Sequence, residues 1–125
     1  MDGKGVFDME KMIVDGRVAI LISPGYGAGW STWDNPELAW DKRVVEYFLA
    51  HKDDKEFMHD VECEGTPAYI NTRNFLKRCG YENVYLGGYP DIRVEWLPIG
   101  TKYVIREYDG SEYIQTEHEI NWSVE

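Results

Sequence analysis

Three glycines at alternate positions, Gly25, Gly27 and Gly29, lie between an apolar run and a helix opening. Such a segment can turn several backbone N–H groups toward one point, and a helix N-terminus beside it adds positive potential. This is the chemistry of an anion or phosphate cradle built without basic side chains. Tyr26, Trp30 and Trp33 interleave with the glycines, and Ser31 and Thr32 add hydroxyls. Flat side chains in such a loop can stack on a nucleobase. The pattern is neither the dinucleotide fingerprint nor a P-loop, since no Lys-Ser/Thr pair follows. A purely architectural reading competes with it, in which the glycines let a tight connection pack closely while the aromatics fill the core.

Charge is distributed unevenly around this segment. Residues 53–64 carry six acids against one base, and residues 107–125 carry six acids and no base. Between them, residues 72–106 hold six bases against three acids. Arg73, Arg93 and Arg106 are therefore candidates to close on a charged ligand, unless these bases simply pair with the acidic flanks.

Other chemistry has little support. Cys63 and Cys79 have no evident base near them in sequence, and His51, His59 and His118 stand in acidic, helical or terminal contexts. His51 ends an expected helix, where a cation is favoured for stability alone. His59-Asp60 lacks an evident third ligand, so the sequence points to no metal site, no cofactor and no enzyme. Two cysteines are too few for a disulfide scaffold and are expected to be reduced.

The elements that must position the glycine segment are readable from turn and cap signals. Asp15-Gly16 should join strands at 12–14 and 17–22 into a hairpin, because both central positions of a type I′ turn need positive φ. Asn35-Pro36 opens a helix expected over 36–51, broken near Asp41. Residues 52–65 read as a short helix or a loop. A further short helix is expected from Thr72 to a stop at Gly80. Strands are expected at 83–86, 92–96, 102–108 and 111–115, the last two joined by Asp109-Gly110, with a last short strand at 120–124. The fold class is thus α+β: an antiparallel sheet made of an N-terminal hairpin and a C-terminal meander, with one or two helices packed on it. Residues 1–10 read as a flexible tail and 11–125 as one domain.

Composition bounds the function. The chain has 125 residues and a formal net charge of −10. That charge argues against nucleic-acid binding, in which Lys and Arg neutralise phosphates, and against anionic membranes. No apolar stretch approaches the roughly 18 residues of a membrane-spanning helix. A soluble, cytoplasmic protein is expected. Five tryptophans and nine tyrosines exceed what a core of this size can bury fully. About half of those in the C-terminal strands should face solvent, where Tyr and Trp are favoured at binding surfaces.

The strings running from Val18 through Ser23-Pro24-Gly25-Tyr26-Gly27-Ala28-Gly29-Trp30-Ser31-Thr32-Trp33, then Trp96-Leu97-Pro98-Ile99-Gly100-Thr101 and Arg106-Glu107-Tyr108-Asp109-Gly110-Ser111-Glu112, resemble small accessory proteins of tailed bacteriophages. The resemblance spans residues 12–115 and leaves out the insertion-like 52–65. It implies a setting in the infected bacterial cytoplasm and a role against host defence. Two mechanisms then compete. In one, the protein is a homo-oligomeric sponge for a nucleotide-type immune signal, held by Gly25, Tyr26, Gly27, Gly29, Trp30, Ser31, Thr32 and Trp33 with Arg73, Arg93 and Arg106. In the other, an acidic face blocks the nucleic-acid site of a host defence protein, as anti-CRISPR proteins do.

Overall fold

The computed structural model describes residues 10–25, 29–33 and 35–116. Tyr26, Gly27, the tail at 1–9 and the strand expected at 120–124 lie outside the described residues. The architecture is α+β with antiparallel sheets.

Strands β1 (Ile13–Val14) and β2 (Arg17–Ile22) form the expected hairpin. Its turn has φ of 52° at Asp15 and 77° at Gly16, as a type I′ turn requires. β2 then pairs with β3 (Arg93–Pro98), Ala19 opposite Trp96 and Leu21 opposite Val94. The order of this sheet is β1-β2-β3. β4 (Tyr103–Tyr108) and β5 (Ser111–Thr116) form a separate two-stranded sheet. The C-terminal meander expected from sequence is therefore divided. β3 joins the N-terminal hairpin, and the turn at 98–101 carries the chain to a second layer.

Helices fill the other side. A 3-10 turn at Pro36–Ala39 precedes α1 (Lys42–His51), and the break between them falls at Asp41, whose carboxylate caps α1 by accepting from the Arg43 N–H. α2 (Lys55–Val61) is capped by Asp54 through the Phe57 N–H. α3 (Pro67–Arg78) begins earlier than expected, because Thr66 caps it through the Tyr69 N–H and Pro67 takes the first helical position, where no N–H is needed. Its end is a Schellman motif: the Gly80 N–H bonds to Lys77 O at 2.9 Å and the Tyr81 N–H to Leu76 O at 2.8 Å. Gly80 sits at φ 101°, so only glycine takes this position without strain. The motif turns Tyr81 into the core, where its hydroxyl donates to Asp41 at 2.7 Å.

Residues 83–86 form no strand. Their alternation instead buries Val84 and Leu86 under an irregular segment, while Tyr85 stays exposed.

β2 is buried on both faces. Ala19 and Leu21 pack with Val44, Val45, Phe48, Val61 and Leu76 from the helices. Ile20 and Ile22 pack on the opposite side with Ala39, Tyr103, Ile105 and Ile114. The molecule thus has three layers: helices, the β1-β2-β3 sheet, and the β4–β5 hairpin. Two-sided burial is why residues 18–22 read as an unbroken apolar run rather than an alternating one.

Candidate functional site

The glycine-rich segment leaves β2 at Ser23 and reaches the 3-10 turn at Pro36. Its backbone donors do converge on an anion, and that anion is the protein's own Glu112. This β5 carboxylate is 1% exposed. Its Oε1 accepts from the Ser23 N–H at 2.9 Å. Its Oε2 accepts from the Trp30 N–H at 2.7 Å, the Thr32 N–H at 3.0 Å and the Thr32 hydroxyl at 2.7 Å. The Glu112 N–H returns a bond to Ser23 O at 2.9 Å, and the Ser111 hydroxyl donates to Pro24 O at 2.6 Å. Four donors around a buried carboxylate replace its lost hydration. The segment is an anion nest whose occupant arrives from 80 residues downstream.

This arrangement corrects the expected cradle. The amides of Ser23, Trp30 and Thr32 are committed to Glu112 and do not face a ligand. Trp30 is no stacking platform: it is 2% exposed, its indole N–H donates to Leu38 O at 2.9 Å, and its ring meets Tyr89 edge-on at 5.7 Å. The described glycines of the segment, Gly25 and Gly29, serve close packing. A Cβ at Gly25 would stand 2.8 Å from an Asp91 carboxylate oxygen, and one at Gly29 would run into the Trp33 ring. Trp33 itself is exposed, donates to Glu107 at 3.3 Å and tilts against Tyr85.

The three candidate arginines do not converge. Arg73 is held on α3, its Nε donating to the Tyr69 hydroxyl at 3.1 Å and its Nη2 to Val84 O at 3.1 Å. Arg93 pairs with Glu95 at 3.7 Å and borders a separate cleft of about 400 Å³ beside Trp96 and Met58. Arg106 stands on β4 with its Nε bonded to Gln115 at 2.6 Å.

Arg106, Ser31 and Thr32 are brought together. They line a cleft of about 630 Å³, one wall formed by Ser31, Thr32, Pro36, Ala39 and Trp40, the other by Tyr103, Ile105, Arg106, Glu107 and Tyr113. Arg106 and Tyr113 are directly opposed across the hairpin. Burial pushes the Tyr103 hydroxyl above its ordinary 10.0, so it stays a neutral donor at physiological pH. Glu107 accepts from the Gly110 N–H at 2.7 Å and from the Trp33 indole at 3.3 Å. The volume suits one small planar molecule, and the lining supplies ring faces, hydroxyls, one cation and one carboxylate.

Sequence reasoning named Arg106, Ser31 and Thr32 but missed Trp40, Tyr103 and Tyr113 as walls and Glu112 as the keystone. Glu112 did leave a signal. It is two residues from Ile114 and so shares the apolar face of β5, where a lone acid needs a partner.

Among the described residues no helix is long and apolar enough to cross a membrane. No protein-family model, curated protein or solved structure matches this chain.

Proposed function

We propose that the protein is a non-enzymatic binding protein that sequesters a nucleotide-type small molecule in the cleft between the 31–40 segment and the β4–β5 hairpin. The observation that carries this reading is the joint lining of that cleft by Trp40, Tyr103, Tyr113 and Arg106 with the Ser31 and Thr32 side of the segment. Aromatic faces take a base, Arg106 takes a phosphate charge, and the hydroxyls take sugar or phosphate oxygens. The anti-defence setting comes from the phage resemblance and is part of the same proposal. Glu112 then has a supporting role: it locks the hairpin against the segment, so both walls of the cleft are fixed before a ligand arrives.

The test is a thermal-shift screen from mononucleotides through ADP-ribose to cyclic di- and trinucleotides. A ligand at about 100 times its dissociation constant adds roughly 2.7 kcal/mol to the folded state, a rise of several degrees for a domain of this size. Arg106→Ala and Tyr113→Ala should abolish the rise, while Arg73→Ala, remote from the cleft, should keep it. A flat screen, or a rise that survives Arg106→Ala, overturns the reading.

One observation favours a second reading, blockade of a basic surface on a host defence protein. Asp53, Asp54, Glu56, Glu62 and Glu64 are all exposed on and around α2. Reversal by Asp53→Lys with Glu56→Lys spares the Asp54 cap. It should break binding to such a target and leave nucleotide binding intact.

A further inference from the structure

The α2–α3 corner brings together three side chains of a kind that bind transition metals, far in function from the cleft and independent of it. His59 lies in the last turn of α2, and Cys63 lies in the turn just beyond its C-cap Glu62, which folds the thiol back toward the imidazole. Asp60 adds a carboxylate beside them. Ligand atoms of all three lie within 4.8 Å of one another. His59 Nδ1 is the common centre, 3.3 Å from Asp60 Oδ1 and 4.0 Å from Cys63 Sγ.

These spacings can be set against what a metal needs. With zinc bonds of about 2.0–2.1 Å to nitrogen or oxygen and about 2.3 Å to sulfur, a tetrahedral ion holds its N and O ligands about 3.3 Å apart and its N and S ligands about 3.5 Å apart. The nitrogen–oxygen distance already matches. The sulfur has half an ångström to close, well within a rotation of an accessible thiol.

The backbone beneath the cluster is fixed. The Cys63 N–H bonds to Asp60 O at 2.9 Å, and the Thr66 hydroxyl lies 2.7 Å from Asp60 O and 2.9 Å from Cys63 O. The same hydroxyl accepts the Tyr69 N–H, so the α3 cap and the corner are held by one side chain. The cluster lies in residues 53–64, which carry six acids against the single base Lys55, a local charge that favours any cation. The donor set then narrows the choice. Thiolate and imidazole select zinc-like ions over magnesium or calcium, which prefer all-oxygen shells.

We infer that His59, Asp60 and Cys63 form a three-ligand surface site for Zn²⁺, with the fourth position open to water or to a group from a partner. Binding replaces the thiol proton with the metal and releases that proton to solvent, so affinity rises with pH.

Co²⁺ titration of the reduced full-length protein tests this, because a thiolate–cobalt bond gives a near-ultraviolet charge-transfer band. The band should saturate at one equivalent, vanish on addition of Zn²⁺, and be absent in Cys63→Ser and in His59→Ala. Both substituted side chains are accessible, and circular dichroism checks that the fold persists. Asp60→Asn should keep the band and weaken binding by 10-fold or more. No band with excess Co²⁺, a band that survives Cys63→Ser, or a band that Zn²⁺ does not displace overturns the site.

Discussion

Glu112 shows how much one side chain can organise. Its four donors come from both ends of the glycine-rich segment, and it has no cationic partner among the described residues. Glu112→Gln keeps the shape but removes the charge and turns an NH₂ group toward backbone donors. Hydrogen bonds to a charged group contribute about 1.5–3 kcal/mol each, so a loss of at least about 3 kcal/mol and a melting temperature lower by roughly 10 °C is expected. A shift under about 2 °C in calorimetry would show that the nest does not depend on the carboxylate. Asp41 is the second buried acid, 0% exposed. Burial alone would raise its carboxyl, but hydrogen bonds from Arg43 and Tyr81 outweigh that and hold it below its ordinary 3.8. Because the folded value is depressed, its contribution is complete above that ordinary value and is lost as the pH falls through the folded one. Urea midpoints measured from pH 6 down to pH 3 should fall steeply in the native protein and less steeply in Asp41→Asn. Equal slopes would remove Asp41 from the acid limb.

Local signals set the elements where the relevant energy is local. The Asp15-Gly16 turn, the Asp41 break and the Gly80 stop all stand where turn and cap chemistry put them. Gly16 sits at φ 77° with nothing within 4 Å of where a Cβ would lie, so Gly16→Ala costs only left-handed backbone strain. That is about 1–2 kcal/mol, readable as a drop in the urea midpoint with unchanged m-value. A neutral result would mean that the hairpin opens without consequence for the rest of the fold. Residues 83–86 went the other way. Their alternation is that of a strand, yet they pair with no strand of either sheet, and the apolar pair Val84 and Leu86 packs into the core with the helices. The start of α3 was legible in Thr66-Pro67, a cap followed by a first-turn proline, although the apolar spacing alone points no earlier than Thr72.

At the scale of the whole molecule, the layers bury phenols that must stay neutral. Burial raises Tyr81, Tyr89 and Tyr103 above their ordinary 10.0, and the bond to Asp41 adds to the rise at Tyr81. A raised folded value means stability is intact below 10.0 and is lost as the pH climbs toward the folded values, because the unfolded chain ionises first. Ultraviolet titration should show Tyr81, Tyr89 and Tyr103 ionising only as the fold is lost. Ionisation of these three near pH 10 with the fold intact would contradict the layer arrangement. By itself, the sequence determined the α+β class, both Asp-Gly hairpins, the Asp41 break and the Gly80 stop, because turns and caps depend on neighbours a few residues away. It also singled out the glycine segment, leaving an anion cradle and a tightly packed connection both open, since glycine spacing before a helix is a local property. Only the tertiary structure decided what fills that nest, which arginine joins the segment, and that the C-terminal strands divide between two sheets. Those outcomes depend on which surfaces meet across more than 70 residues of chain, and the competing acids Glu107, Glu112 and Asp109 look alike until burial selects one.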